Sequence, residues 1–120
     1  MSTDSKTTRE IVTRFNRAFE EHRPDDLDDL IGEGCVLENT APTPDGARYE
    51  GREACLGFWK GIASSSNLAF TVEEIWAAED RGIIRWELRW SDGEADRIRG
   101  VNIMRVRDGK IVEGFGYVKG

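Results

Sequence analysis

The sequence predicts an α+β fold, in which helices gathered early in the chain cover the concave face of a strongly curved, cone-forming antiparallel sheet. Three observations lead there. Apolar residues recur at helical spacing around Ile11–Phe19 and again around Cys55–Ile62. From Leu68 onward they give way to long β-branched and aromatic runs. Those runs are punctuated by Asp80-Arg81-Gly82, Ser91-Asp92-Gly93 and Arg107-Asp108-Gly109, residue types that turn one antiparallel strand into the next.

The elements follow in order. Thr7-x-x-Glu10 has the form of a capping box, and Ile11, Phe15, Ala18 and Phe19 then mark a helix over Thr8–His22. Pro24 restarts a short helix with Leu27, Leu30 and Ile31 as its apolar positions, and Gly32 and Gly34 end it. Cys35–Thr40 alternates as a short strand, whereas Ala41–Tyr49, with two prolines and Asp45-Gly46, is read as a loop. Cys55, Phe58, Trp59 and Ile62 form the inner stripe of a third helix, which stops at Ser64-Ser65-Ser66-Asn67. Four strands complete the chain as a meander: Leu68–Ala78, Gly82–Trp90, Ala95–Arg107 and Lys110–Val118. No linker or repeat divides the 120 residues, so one domain over 1–120 is expected, with 1–6 a disordered end.

Composition narrows the function. Four Trp and five Phe supply too much apolar bulk for a disordered chain. The formal charge of -6 opposes binding to nucleic acid or to an anionic membrane surface. There is no apolar run long enough to span a bilayer and no apolar leader after Met1, which predicts a soluble, cytoplasmic protein. Cys35 and Cys55 are too few for a disulfide framework and read as small buried hydrophobes. His22 is the only histidine and lies at a helix end, so no metal site, no cofactor and no histidine-based catalysis are expected. A general base here has to be a carboxylate raised by burial.

Strand parity then selects candidates. Ile98, Gly100, Asn102, Met104 and Val106 share one face of their strand, and Asn102 is the one polar side chain in that row. A buried amide without partners loses about 1–3 kcal/mol, so Asn102 either faces a ligand pocket or is satisfied by neighbouring strands and water. On the preceding strand Arg85, Glu87 and Arg89 alternate with Ile84, Trp86, Leu88 and Trp90. Periodicity alone turns the charged row toward solvent.

The element order, with Arg105-Val106-Arg107-Asp108-Gly109-Lys110-Ile111 as its closing hairpin, resembles the SnoaL-like branch of the nuclear-transport-factor-2-like superfamily. The resemblance implies a cone enclosing a mostly apolar pocket and a homodimer formed through the outer sheet face. The activities it implies need no metal: polyketide cyclisation, ketosteroid isomerisation or limonene-type epoxide hydrolysis. By position, the ketosteroid isomerase base and its two oxyanion donors fall on Asn39, Phe15 and Asn102, of which only Asn102 keeps a donor role. The epoxide hydrolase Arg-x-Asp motif is matched in charge order by Arg85-Trp86-Glu87, and its asparagine by Asn39. Leu37 and Gly116 stand where that family has Tyr and a second Asp.

The resemblance brings Arg85 and Glu87 into the cone, with Glu87 as base, Arg85 as its electrostatic partner, and Asn39 and Asn102 as hydrogen-bonding groups. Glu38 is the fallback acid. Phe15, Phe19, Trp59, Trp76 and Met104 are expected to contact a small, largely apolar molecule, and Phe115 and Tyr117, with Trp86 or Trp90, to form the dimer patch. A non-catalytic binding module of the same fold is the alternative.

Overall fold

The first helix is started by Asp4. The structure, a computed structural model, describes residues 4–91 and 95–119. In it α1 spans Ser5–Glu20, and the Asp4 carboxylate accepts the Thr7 amide N–H at 2.8 Å. The helix therefore begins earlier than the Thr7-x-x-Glu10 pattern indicates, because a charged acceptor ahead of it already satisfies an orphan amide of the first turn. Asp4 to Lys6, placed in the disordered end by sequence, form this cap and first turn; residues 1–3 lie outside the described ones. The buried face of α1 comprises Thr8, Ile11, Val12, Phe15, Asn16, Ala18 and Phe19.

After α1, His22 takes a left-handed conformation, and its Nδ1 lies 3.2 Å from the Ala63 carbonyl oxygen. A single 3-10 turn over Pro24–Leu27 drops Leu27 and Leu30 into the core. Strand β1 covers Ile31–Glu38, so Gly32 and Gly34 sit inside a strand. They accompany a register irregularity between Ile31 and Val36 that bends β1. Within the expected loop, β2 (Arg48–Glu50) pairs antiparallel with Val36–Glu38. Helix α2 occupies Arg52–Ala63, burying Cys55, Trp59 and Ala63.

The remaining strands, β3 (Ala69–Ala78), β4 (Arg81–Arg89), β5 (Arg97–Arg107) and β6 (Lys110–Val118), form the expected meander; of its turns, residues 92–94 lie outside the described ones. The six strands lie in the order β2-β1-β6-β5-β4-β3. Among the described residues all pairings are antiparallel except β1 with β6, which makes the sheet mixed. Both helices lie against one face of this open, curved sheet, and the core between them runs from Ile11 and Phe15 on α1 to Ile84, Met104 and Ile111 on the sheet. Among the described residues, no helix is long and apolar enough to cross a membrane.

Candidate functional site

The helix layer does not fill the whole concavity of the sheet. A cavity of about 150 Å³, partly open to solvent, remains between α1, α2 and strands β3–β6, closed at one end by residues 37–40. α1 supplies Phe15, Asn16 and Phe19, and α2 supplies Phe58, Trp59 and Ile62. The sheet adds Phe70, Trp86, Leu88, Ile98, Asn102, Gly114 and Gly116. Aromatic rings run around it in edge contact: Phe15 lies 4.9 Å from both Trp59 and Phe19, Phe19 5.6 Å from Phe70, and Phe70 6.4 Å from Trp86. Such tilted contacts lock the rings against one another, so the wall is largely preformed.

Two glycines set the depth of the floor. A methyl group at Gly100 would lie 2.7 Å from the Trp86 ring, and one at Gly114 2.7 Å from the Trp59 ring. Each indole thus rests on strand backbone where a side chain would otherwise stand. Gly116 makes room differently, since a Cβ there would lie 3.2 Å from Asn102 Oδ1.

The polar groups on the wall are mainly amides. Asn102 Oδ1 accepts the Trp86 indole N–H at 3.1 Å. An indole nitrogen only donates, which fixes the amide so that its NH₂ is the group left over. Asn39 borders the cavity from the segment after β1 and donates through Nδ2 to the Ala41 carbonyl at 3.2 Å. Asn16 is 5% exposed, and its Nδ2 has no hydrogen-bond partner. Sequence reasoning passed over Asn16, yet it stands four residues after Val12 and three before Phe19, inside the apolar stripe of α1. A polar residue in that stripe is the same signal that singled out Asn102.

Glu87 and Arg85, expected inside the cone, are placed on the opposite face of the sheet. Trp86 takes the inward position between them. The Glu87 carboxylate accepts from Arg97 Nη1 at 2.8 Å and from Arg89 Nε at 2.9 Å, and these hydrogen bonds hold it below the usual carboxylate range. Arg85 binds Glu74 at 3.0 Å and approaches Glu73 at 3.8 Å. Neither side chain reaches the cavity, so the inward general base expected of Glu87 is corrected. The physical reason is that the two charged side chains are paired with opposite charges on the outer face while the larger indole is buried.

Trp76 and Met104, expected at the ligand, also lie elsewhere. Trp76 is 54% exposed on the outer face, opposite Ile83. Met104 is fully buried in the core and is not among the residues bordering the cavity. Phe15, Phe19, Trp59, Asn39 and Asn102 all border it. Trp86 belongs to this wall and not to an outer dimer patch. Glu38 is the single carboxylate among the described residues that border the cavity, and its Oε2 is bound by Arg48 Nη1 at 2.8 Å.

Nucleophilic and metal chemistry find little to work with among the described residues. Cys35 and Cys55 are fully buried, and burial pushes both thiols up, away from the reactive thiolate. No group of three potential ligands among His, Cys, Asp and Glu is close enough to hold a metal ion.

Comparison with known proteins agrees with this architecture. A crystal structure of an NTF2-like protein of unknown function from Mesorhizobium loti is 52% identical, covering 97% of this chain and 93% of that one, with a TM-score of 0.90. A putative ketosteroid isomerase from Kribbella flavida (20% identity, 98% of this chain and 82% of that one, TM-score 0.82) shares the fold. So does an LEH-like epoxide hydrolase of M. tuberculosis (17% identity, 99% and 83%, TM-score 0.74). At such identities the likeness extends to the fold alone. No curated protein matches the sequence. The SnoaL-like domain family matches residues 12–114, nearly the whole cone from α1 to the cavity side of β6, and the chain belongs to that family.

Proposed function

We propose that the protein binds a small, largely apolar, neutral molecule in the cavity beneath α1 and α2, and that it holds this molecule through shape and amide hydrogen bonds. The observation that carries this reading is the wall itself: a ring of aromatics with Asn16, Asn39 and Asn102 set into it, and no free acid or base among its described residues. The one bordering carboxylate, Glu38, is committed to Arg48. This favours the binding module over the acid–base catalyst, because a general base must be within reach of the proton it removes. A volume of about 150 Å³ suits a molecule on the order of six to ten non-hydrogen atoms, close to a single ring.

The test uses toluene as probe. Because Trp59 and Trp86 border the cavity, toluene is expected to change tryptophan emission saturably in the native protein. Leu88 and Ile98 are direct cross-strand partners on the wall, so the double variant L88F/I98F fills the cavity from one side. It should lower toluene affinity by roughly tenfold or more at unchanged fold. Native protein that gives no saturable response up to the solubility limit of toluene removes this reading.

The partner proposed beside the ligand is a second copy of the chain. On the outer sheet face Trp76, Ile83, Ile103 and Phe115 are consecutive cross-strand partners, forming one apolar row across β3, β4, β5 and β6. Val101 and Tyr117, also direct partners, widen it. Arginine–carboxylate pairs flank the row on both sides, as in an apolar interface core with a charged rim.

A further inference from the structure

Trp76, Trp90, Tyr117 and Val118 are the large apolar side chains that stay exposed among the described residues. Trp76 and Tyr117 belong to the outer sheet face, and Trp90 and Val118 do not. The Trp90 amide donates to the Asp96 carbonyl at 3.1 Å, which carries the β4–β5 ladder one pair beyond Arg89 and Arg97. Alternation therefore puts Trp90 on the face of Trp86 and Leu88, both of which border the cavity, and removes it from the outer dimer patch expected by sequence. Val118 keeps the parity of Gly114 and Gly116 and pairs directly with Gly100, the glycine under the Trp86 ring. Leu88 and Ile98, half-buried partners on the cavity wall, join the two: Leu88 precedes Trp90 by two residues and Ile98 precedes Gly100 by two. The apolar rows that line the cavity thus run on past it, and their last members are 43% and 42% exposed. The lining itself grades from buried Phe15, Leu37 and Trp59 to half-buried Leu68, Leu88 and Ile98, so the cavity opens on the side of Trp90. Single apolar residues scattered on a surface need no occupant; these are continuous with a lined cavity.

We propose that the ligand is longer than the cavity: a neutral molecule with a ring-sized head inside and an apolar tail that leaves along Leu88 and Ile98 and ends against Trp90, with Val118 at its side. This rests on the cavity being a ligand site, as argued above. The tail is apolar because the strip it follows is, and the Trp90 indole offers it a broad, rigid surface at little cost in side-chain entropy. The size of the strip favours a tail over a macromolecule, since a stable protein interface buries about 1,200–2,000 Å² and this strip adds only two exposed side chains to the cavity wall.

The test compares toluene, which is all head, with n-hexylbenzene, which adds the tail, on the native protein and on W90A. A methylene that leaves water only in part strengthens binding by about twofold, so the native protein is expected to bind n-hexylbenzene roughly thirtyfold more tightly than toluene. Trp90→Ala should reduce that preference by roughly fivefold at an unchanged melting temperature, because the side chain it removes is exposed. Should W90A fail to fold, Val118→Ser is read in the same way and is expected to reduce the preference by roughly twofold. A native protein that binds n-hexylbenzene no more tightly than toluene overturns the inference, as does a preference that both variants leave intact. A W90A protein that keeps the preference but sediments differently from the native one assigns Trp90 to a contact between copies, which also overturns it. Native protein that binds neither probe saturably overturns the ligand reading as well, whereas saturable toluene binding without a preference for the longer probe overturns this inference alone.

Discussion

Trp86 and Glu87 are neighbours with opposite fates, and the sizes of the competing terms explain the arrangement. Burying an indole that removes some 150–250 Å² from water contributes about 4–6 kcal/mol. Burying a carboxylate in its place would cost several kcal/mol unless it were fully paired. Outside, Glu87 is gripped by Arg89 and Arg97, and Glu113 and Glu73 are each approached by two arginines in the same manner. The folded protein holds the Glu87 carboxyl lower than the unfolded chain does, through its bonds from Arg97 and Arg89. The unfolded state therefore takes up the proton first as pH falls. The stabilisation is complete above the unfolded value of about 4.3 and is lost as pH drops through the lower folded value. Glu87→Gln is accordingly expected to lower the melting temperature near neutrality, and the gap to native protein should close in acid. A gap that persists unchanged below that range would mean that the effect is not ionic.

At the scale of elements, the start of α1 invites a direct measurement. Replacing Asp4 by Ala removes the acceptor for the Thr7 amide and is expected to cost about 1 kcal/mol, read from urea unfolding. A cost of that size from Thr7→Ala instead would return the cap to Thr7. This cap was obscured in sequence because a capping-box pattern and a true cap stood within one turn of each other. Strands β3 to β6 were legible because they run long between strong turn signals. β2 was not, since three residues between prolines and a helix carry no period and pair only because β1 lies alongside.

The cavity was half legible for a related reason. Alternation revealed that Trp86 and Glu87 face opposite ways, but which of them faces inward depends on where α1 and α2 dock, and docking is not a local property. The resemblance pulled the charged row inward, and the packing reversed it. Phe15, Phe19 and Trp59 were found because helical spacing and burial coincide, whereas Trp76 lay on the wrong side of a register shift between Val72 and Glu74 that period counting does not register.

At the scale of the whole molecule, charge is divided unevenly. Asp25, Asp26, Asp28 and Asp29 cluster around the 3-10 turn at the helical side, while Arg81, Arg85, Arg97, Arg99 and Arg105 stand among carboxylates on the outer sheet face. Self-repulsion from the net charge of -6 is thus weakest across the outer face, where a second copy is proposed to sit. Ile103 lies in the middle of the apolar row there. Ile103→Glu is expected to convert a dimer to a monomer in sedimentation velocity, with the toluene response of the cavity retained. A native protein that sediments as a monomer at the highest attainable concentration removes the dimer.

The one parallel pairing in the sheet, β1 with β6, has a consequence for how the cavity comes into being. Leu37 finds its partner at Gly114, far along the chain, so the strand bearing one rim of the cavity stays unmatched on that side until the opposite end has been synthesised. Contacts of such long sequence separation form late, because the loop between them must first be closed. The rim formed by residues 37–40 is therefore among the last parts of the cavity wall to be put in place. Until β6 has paired with β1, the cavity lacks one of its walls.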